Sequence, residues 1–210
     1  MVTTIRTVST EVARNRRASY DILPLLLNRW SPRSMTGESL TDEELFPLFE
    51  AARWAPSSFN SQLWRFIVAR RQNPEEFAKF QGLLVPGNAA WAKDAAALIV
   101  VASRQNFEHS NKPAVTHAFD AGAAWENIAL EAARRGLVTH GMQGFDYDRA
   151  RQELGIPDDF DVLAMIAIGK RGPLEKLPEK LQAVEHPNSR RPLREILFEG
   201  AFGRTIDRLK

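Results

Sequence analysis

Apolar residues recur along this chain with two periods, one typical of helices and one typical of strands. Helical spacing predicts a helix from Thr41 to Trp54, and Glu44, three residues after Thr41, predicts a capping box at its start. Pro56 ends this helix, and the run from Trp64 to Ala69 favours a strand because it holds aromatic and β-branched residues. The apolar face of the helix consists of Leu45, Leu48, Phe49 and Ala52.

Two further apolar runs, Ala95 to Ser103 and Asp161 to Gly169, have the length of strands. Continuous runs of this kind are typical of strands that are covered on both faces. The longest helical pattern extends from His117 to Arg135 and ends at Gly136. Shorter patterns predict helices at Tyr20–Trp30, Pro74–Gln81 and Tyr147–Leu154, a turn at Gly82–Asn88, a strand at Leu137–His140 and an edge strand at Glu195–Phe198.

Composition limits the possible classes of protein. The chain has 210 residues, of which 44% are hydrophobic, and this favours one globular domain with a substantial core. We expect residues 1–19 to form an arginine-rich N-terminal arm and residues 20–210 to form the domain, with a C-terminal arm from about residue 171. The net charge of +2 does not indicate a nucleic-acid partner, and the absence of cysteine excludes disulfides and thiolate sites. No apolar run approaches the roughly 20 residues of a membrane span, and no secretory signal is recognisable, so the expected location is the cytoplasm.

The loop after the Thr41–Trp54 helix is rich in hydrogen-bonding side chains, namely Ser57, Ser58, Asn60 and Gln62. Carboxamides both donate and accept hydrogen bonds, so they can match a planar heterocycle that carries amide N–H and C=O groups. The alternative interpretation is a turn whose side chains only satisfy their own backbone.

A second candidate is the sequence Arg29-Trp30-Ser31-Pro32-Arg33. Its two guanidiniums and one hydroxyl lie within five residues, and forked guanidiniums pair bidentately with phosphate oxygens. A basic helix end exposed to solvent is the alternative. His109 and His117 are not accompanied by a metal-ligand pattern, so no metal site is predicted.

A third candidate is the segment from Gly141 to Asp146, where two glycines stand three residues apart. Glycine allows backbone N–H groups to approach a ligand that a side chain would block, although a plain strand-to-helix turn explains the pattern equally well.

The segment Ala55-Pro56-Ser57-x-x-Asn60-x-Gln62-x-Trp64 resembles a motif of the nitroreductase-like FMN-dependent oxidoreductase family. The resemblance implies that Arg29, Ser31 and Arg33 bind the FMN phosphate, joined by a basic pair near the C-terminus. It also implies that the backbone amides of Gln143 and Gly144 face the flavin N5. The implied cofactor contacts are Arg29, Trp30, Ser31, Arg33, Pro56, Ser57, Ser58, Asn60, Gln62, Met142, Gln143, Gly144, Arg190 and Arg191.

The resemblance further implies an α+β fold with a central mixed sheet between helical layers, in a homodimer with exchanged terminal arms. The implied activity is ping-pong electron transfer from NADH or NADPH, through FMN, to a nitroaromatic, a quinone or a similar small-molecule acceptor. The flavin carries the chemistry, so no catalytic side chain is expected. Lys170 and Arg171 stand where relatives often have Tyr-Pro, and they are further candidates for an anion contact.

Other chemistries lack a signal in the sequence. The chain has no G-x-G-x-x-G, no Walker loop, no G-x-S-x-G and no H-E-x-x-H. Two alternatives stay open: a flavoprotein of the same fold with different chemistry, such as dehalogenation or flavin destruction, and a non-enzymatic nucleic-acid-binding module.

Overall fold

The computed structural model describes residues 7–209, which form eight α-helices and a four-stranded sheet. The helices are α1 (Thr10–Ala13), α2 (Pro24–Asn28), α3 (Asp42–Arg53), α4 (Pro74–Leu83), α5 (Pro86–Ala92), α6 (His117–Arg134), α7 (Tyr147–Glu153) and α8 (Glu179–Gln182). The strands are β1 (Trp64–Arg70), β2 (Ala97–Arg104), β3 (Leu137–Met142) and β4 (Phe160–Lys170). Within residues 7–209, no helix combines the length and apolar character needed to cross a bilayer.

The strand order is β1-β2-β4-β3, and every neighbouring pair is antiparallel. The α+β class with a sheet between helical layers is confirmed, but the sheet in this part of the chain is not mixed as expected. The reason lies in the position of β4. Helix α6 returns the chain so that β2 and β3 run parallel, and β4 then inserts between them and pairs antiparallel with both.

Each face of the sheet is covered by its own helical layer. Along β2, Leu98, Val100 and Ala102 pack with α4, α5 and α7 in one cluster. The alternate residues Ala97, Ile99 and Val101 pack with α3 and α6 in the other. This period of two explains why the sequence of β2 is continuously apolar: both faces of the strand are buried.

The predicted capping box of α3 is confirmed. Thr41 Oγ1 accepts a hydrogen bond from the Glu44 N–H at 3.3 Å, and a Glu44 carboxylate oxygen accepts one from the Thr41 N–H at 3.0 Å. Leu45, Leu48 and Ala52 are buried, as the helical spacing predicts. The cap therefore fixes where helix α3 begins, and its buried face holds the helix against the core before the loop that follows it.

Three predicted elements differ from the structure, and proline explains two of them. The predicted Tyr20–Trp30 helix is confined to α2, since Pro24 occupies its first position and none of its apolar residues is fully buried in the protomer. The predicted turn at Gly82–Asn88 is mostly helical, because Pro86 starts α5. The described C-terminal arm forms no strand at Glu195–Phe198, and a short 3₁₀ turn at Leu193–Glu195 precedes this segment.

Candidate functional site

A polar cavity of about 130 Å³ lies where the end of α2, strand β3 and both arms of the chain meet. The predicted phosphate segment contributes Arg29, Trp30, Ser31 and Arg33 to its lining, and the C-terminal arm contributes Arg190. Arg16 and His140 also line it, although the sequence patterns did not single them out. Residues far apart in the sequence thus form one cationic site.

The arginines of this cavity are crowded and incompletely paired. Only 18% of the Arg29 side chain is exposed, and its Nε makes no hydrogen bond to the described residues, although a Glu126 carboxylate oxygen lies 3.5 Å away. Burial, followed by repulsion from Arg190 and Arg29, lowers the pKa of Arg16 to about 10. Four arginines around one small cavity, namely Arg16, Arg29, Arg33 and Arg190, fit an anion with several acceptor oxygens, such as a phosphate.

Glu185, on the C-terminal arm, organises the backbone of the phosphate segment. One of its carboxylate oxygens accepts hydrogen bonds from the N–H groups of Arg33 at 2.7 Å and Ser34 at 2.9 Å, and from Arg171 Nη1 at 2.8 Å. The Glu185 side chain is fully buried. Arg171 in turn lies over the Trp30 ring, 4.6 Å from its centroid. The C-terminal arm therefore holds Trp30 and Arg33 in place.

His140 reaches the cavity from β3. Its ring packs against Trp91, with the ring centroids 4.7 Å apart, and its Nδ1 lies 3.2 Å from the carbonyl oxygen of Pro32. Burial, and secondarily the charge of Arg33, lowers the pKa of His140. A neutral imidazole beside a carbonyl donates from Nδ1, so its Nε2 is left as an acceptor.

The second predicted segment, Ser57 to Gln62, has a strained backbone. Phe59, Asn60 and Gln62 have φ values of 54°, 53° and 50°, in the left-handed region that non-glycine residues avoid. Ser57 Oγ accepts a hydrogen bond from the Gln62 N–H at 3.0 Å, and Gln62 Nε2 donates to the Asn60 carbonyl at 2.9 Å. The self-satisfied turn of the alternative interpretation is therefore present, but strain of this kind concentrates at functional sites.

This loop is fixed to the first turn of α6. The Ser58 N–H donates to an Asp120 carboxylate oxygen at 3.0 Å, and the Ser58 and Thr116 hydroxyls are 2.7 Å apart. Asp120 is buried, with 5% of its surface exposed. Beside this anchor, Phe59 and Phe119 are about four-fifths exposed, at 81% and 79%. A rigid polar loop is thus presented next to uncovered aromatic rings.

The two glycines of the third predicted segment have packing functions. A Cβ at Gly144 would lie 2.7 Å from Asn88 Nδ2 and 2.9 Å from Val85 Cγ2. A Cβ at Gly141 would lie 3.3 Å from the Trp125 ring, and Gly141 belongs to β3 rather than to a turn. The glycines therefore make room for protein side chains. Neither the Gln143 nor the Gly144 N–H donates a hydrogen bond to any residue within 7–209, so both amides are available to a ligand.

Distances along β3 and along α6 show how far apart the candidate binding groups lie. Gln143 follows His140 by three residues along β3, which corresponds to about 10 Å. Arg29 approaches α6 at Glu126, and Ser58 is bonded to α6 at Asp120. Those two positions differ by about 9 Å of helix rise and about 120° of rotation. Arg29 and the Ser57–Gln62 loop thus contact different faces of α6.

Several predicted residues lie away from the cavity. Met142 is buried in the core with 4% of its surface exposed. Arg191 is an exposed side chain that pairs with Glu195 at 3.5 Å, so of the predicted basic pair only Arg190 lines the cavity. Lys170 is paired with Glu38 at 3.2 Å. Pro56 is exposed at the start of the loop.

Comparison with known proteins places the chain in a family. The profile of the Nitroreductase family matches residues 26–170. The chain belongs to the nitroreductase family. The identification made from the Ala55–Trp64 and Arg29–Arg33 segments is therefore confirmed, and with it the expectation of an oxidoreductase. Arg16, Glu185 and Arg190 lie outside the matched residues.

Individual members of the family show the same relationship. A 15.4 kDa protein of Mycolicibacterium smegmatis is 34% identical over 150 residues, which cover 68% of this chain and 99% of that protein. A Streptomyces coelicolor protein, provisionally named an NADH dehydrogenase/NAD(P)H nitroreductase, is 29% identical over 67% of this chain and 80% of its own length. A crystal structure described as an oxidoreductase containing FMN is 42% identical and superimposes with a TM-score of 0.86, covering 90% of this chain and 97% of that one.

Proposed function

We propose that this nitroreductase-family chain binds FMN and transfers electrons from NADH or NADPH to nitroaromatic, quinone or similar acceptors in a ping-pong cycle. The observation that carries the proposal is the polar cavity that Arg16, Arg29, Arg33 and Arg190 line together. A solved relative that is 42% identical contains FMN, and another relative is provisionally named for NAD(P)H and nitroreductase activity.

The donor groups of the cavity fit the phosphate end of FMN. Arg29 and Arg33 present forked guanidiniums, Ser31 presents a hydroxyl, and Arg190 adds a cation from the C-terminal arm. Phosphate monoesters carry a charge of about −1.5 to −2 at neutral pH, and cationic donors of this type recognise them bidentately. The neutral His140 supplies an acceptor that can take a hydrogen bond from a ribityl hydroxyl.

The ring end of the cofactor would meet the amides of Gln143 and Gly144, which directly follow β3 and donate no hydrogen bond to residues 7–209. Ser57, Ser58, Asn60 and Gln62 supply the donors and acceptors that suit the polar edge of an isoalloxazine. The bound flavin supplies the hydride and electron transfer chemistry. The side chains of this chain orient the flavin and exclude water, and none is required as a proton donor.

We further propose that the active unit is a homodimer in which each FMN is shared: one subunit binds its phosphate, and the other subunit binds part of its ring. Three features support this proposal. Arg29 of the cavity and the Ser57–Gln62 loop contact different faces of α6, Phe59 and Phe119 are largely exposed beside the loop, and Trp54 is 72% exposed just before it. Rings of this size are commonly buried at interfaces.

The proposed cofactor is tested by purifying the protein, denaturing it and identifying the released chromophore. FMN is expected, and recovery of FAD, or of no flavin after refolding with FMN, contradicts the proposal. The ping-pong cycle is tested by steady-state rates at several fixed acceptor concentrations. Parallel double-reciprocal lines are expected, whereas intersecting lines would indicate a ternary complex.

A further inference from the structure

We propose that Arg16, on the N-terminal arm, is an additional phosphate-binding residue and that phosphate binding fastens the two arms of the chain together. This inference rests on the proposed FMN function. It concerns a residue ten positions before the part of the chain that matches the family, and none of the predicted phosphate-binding segments includes it.

Arg16 joins three segments of the chain through backbone carbonyls. Its Nη1 donates to the carbonyl oxygens of Leu27 and Arg29, each at 2.7 Å, and its Nε donates to that of Asn188 at 2.8 Å. A guanidinium has five N–H donors, so these bonds leave the two N–H groups of Nη2. Arg16 lines the cationic cavity, and Nη2 has no protein acceptor among residues 7–209.

The surroundings of Arg16 disfavour a positive charge, which argues against a purely structural role for this arginine. Burial disfavours the charge of Arg16, and repulsion from Arg190 and Arg29 disfavours it further, so the pKa of Arg16 falls. Of the nearby carboxylates, Glu126 faces Arg29. One oxygen of Glu185 accepts hydrogen bonds from Arg33, Ser34 and Arg171, and its other oxygen lies 3.7 Å from Arg33 Nη1. A neutral donor could bond carbonyls without this electrostatic cost. A cation here is favoured when a polyvalent anion enters the cavity, since the anion offsets the repulsion.

Contacts of the N-terminal arm with the rest of the chain place Arg16 in the lining of the cavity. Val12 of α1 is buried, with 1% of its surface exposed. The Ser9 N–H donates to Asn28 Oδ1 at 2.8 Å, and Asn28 Nδ2 donates to the Thr7 carbonyl at 2.9 Å. The Arg16 contact to Asn188 then connects this arm to the C-terminal arm, where Arg190 donates to the Ser189 carbonyl. A phosphate held by Arg16 and Arg190 would lie between the two arms.

The decisive experiment compares FMN with riboflavin, which has the same ring and no phosphate. Dissociation constants for both are measured by flavin fluorescence in the apoprotein of wild type, Arg16→Ala and Arg16→Lys. Arg17→Ala is the matched control, because it removes the same charge from an adjacent, exposed position. We expect Arg16→Ala to weaken FMN about tenfold or more and riboflavin less than about twofold, because one charge-assisted interaction with phosphate is lost. Arg16→Lys should recover part of the loss, and Arg17→Ala should match wild type.

Equal weakening of both ligands by Arg16→Ala would overturn the inference and assign Arg16 a structural role only. A wild type that prefers FMN to riboflavin, with that preference unchanged in Arg16→Ala, would overturn it while leaving the proposed function intact. A wild type with no preference for FMN would contradict the proposed phosphate cavity and, with it, the role of Arg16.

A second measurement follows the arm directly and does not depend on activity. Hydrogen–deuterium exchange of residues 9–16 should slow when FMN is added to the wild type, because Arg16 becomes fixed. Riboflavin should not slow it, and neither ligand should in Arg16→Ala. Slowing by FMN in Arg16→Ala equal to that in wild type would contradict the fastening of the arms.

Discussion

Arg29 is the residue at which the proposed phosphate contact can be tested most simply. Arg29→Ala removes a mostly buried guanidinium whose Nε has no hydrogen-bond partner among the described residues. We expect FMN binding to weaken by about 2 kcal/mol, roughly thirtyfold in dissociation constant, since charge-assisted bonds to the phosphate are lost. Riboflavin binding, measured in the same titration, should change little. A loss of equal size for riboflavin would mean that Arg29 supports the fold and not the phosphate.

His140 predicts a specific pH dependence of stability. Its pKa in the folded chain lies below the ordinary value for histidine, mainly because of burial. As the pH falls through about 6.5, the unfolded chain gains a proton that the folded chain does not, so the folded state loses stability. Melting temperatures of the apoprotein from pH 7.5 to 5.5 should therefore fall less steeply in His140→Gln than in wild type. His109→Gln, at an exposed position, is the control and should keep the wild-type slope.

The site residues that lie in segments with a local pattern were predicted from the sequence, and the site residues outside such segments were not. Arg29, Ser31 and Arg33 alternate within five residues, and the serine and carboxamide loop is equally compact. Arg16 is one of several arginines in the N-terminal arm, and His140 and Glu185 belong to no recognisable motif. They gain a role only because α2, β3 and the two arms meet, and no local spacing reports such a meeting.

Among the elements, the turn between β3 and α7 shows how packing requires glycine. Gly144→Ala would place a methyl group 2.7 Å from Asn88 Nδ2 and 2.9 Å from Val85 Cγ2. We expect it to lower the free energy of unfolding by about 1–3 kcal/mol, as overpacking usually does. Urea denaturation measures this loss. The control is Gly87→Ala within α5, where a Cβ meets no atom within 4 Å. That variant should be neutral or slightly more stable, since alanine favours helix.

Helices and strands were predictable where one face or both faces were buried. Helix α6 and strands β2 and β4 follow the sequence pattern within about two residues, because burial and period agree there. The pattern was misleading at α2, whose leucines lie on the protomer surface, and at α5, where Pro86 begins a helix although it was interpreted as part of a turn. Hydropathy does not distinguish a face covered by the same chain from one left at the surface.

In the whole molecule, a shared active site makes a clear prediction for mixed dimers. An Arg29→Ala chain and an Asn60→Ala chain should each be nearly inactive alone. If the phosphate and ring segments act across subunits, half of the randomly mixed dimers carry one intact site, and about a quarter of full activity should return. Activity after mixing, with mass measurement of the dimers, tests this expectation. If confirmed mixed dimers regain no activity, both segments serve one site within a single subunit.

The order of the strands in the sheet could not be predicted from the sequence. The α+β class followed from buried strands between amphipathic helices, but the insertion of β4 between β2 and β3 depends on long-range pairing. Its register includes a shift between Val101 and Ala102 that no local pattern marks. Such pairings are fixed by the whole core, which explains why the expected mixed sheet proved to be antiparallel.

The left-handed backbone at Phe59, Asn60 and Gln62 has a consequence for laboratory evolution. Phe59, whose side chain is poorly suited to this region, raises the free energy of the folded chain by roughly 1 kcal/mol or more, and glycine would remove that cost. A selection for heat resistance alone should therefore enrich Phe59→Gly. The same substitution would loosen the segment that supplies Asn60 and Gln62, so heat-selected variants should release flavin more readily. Thermal robustness and cofactor retention are thus opposing objectives at this position.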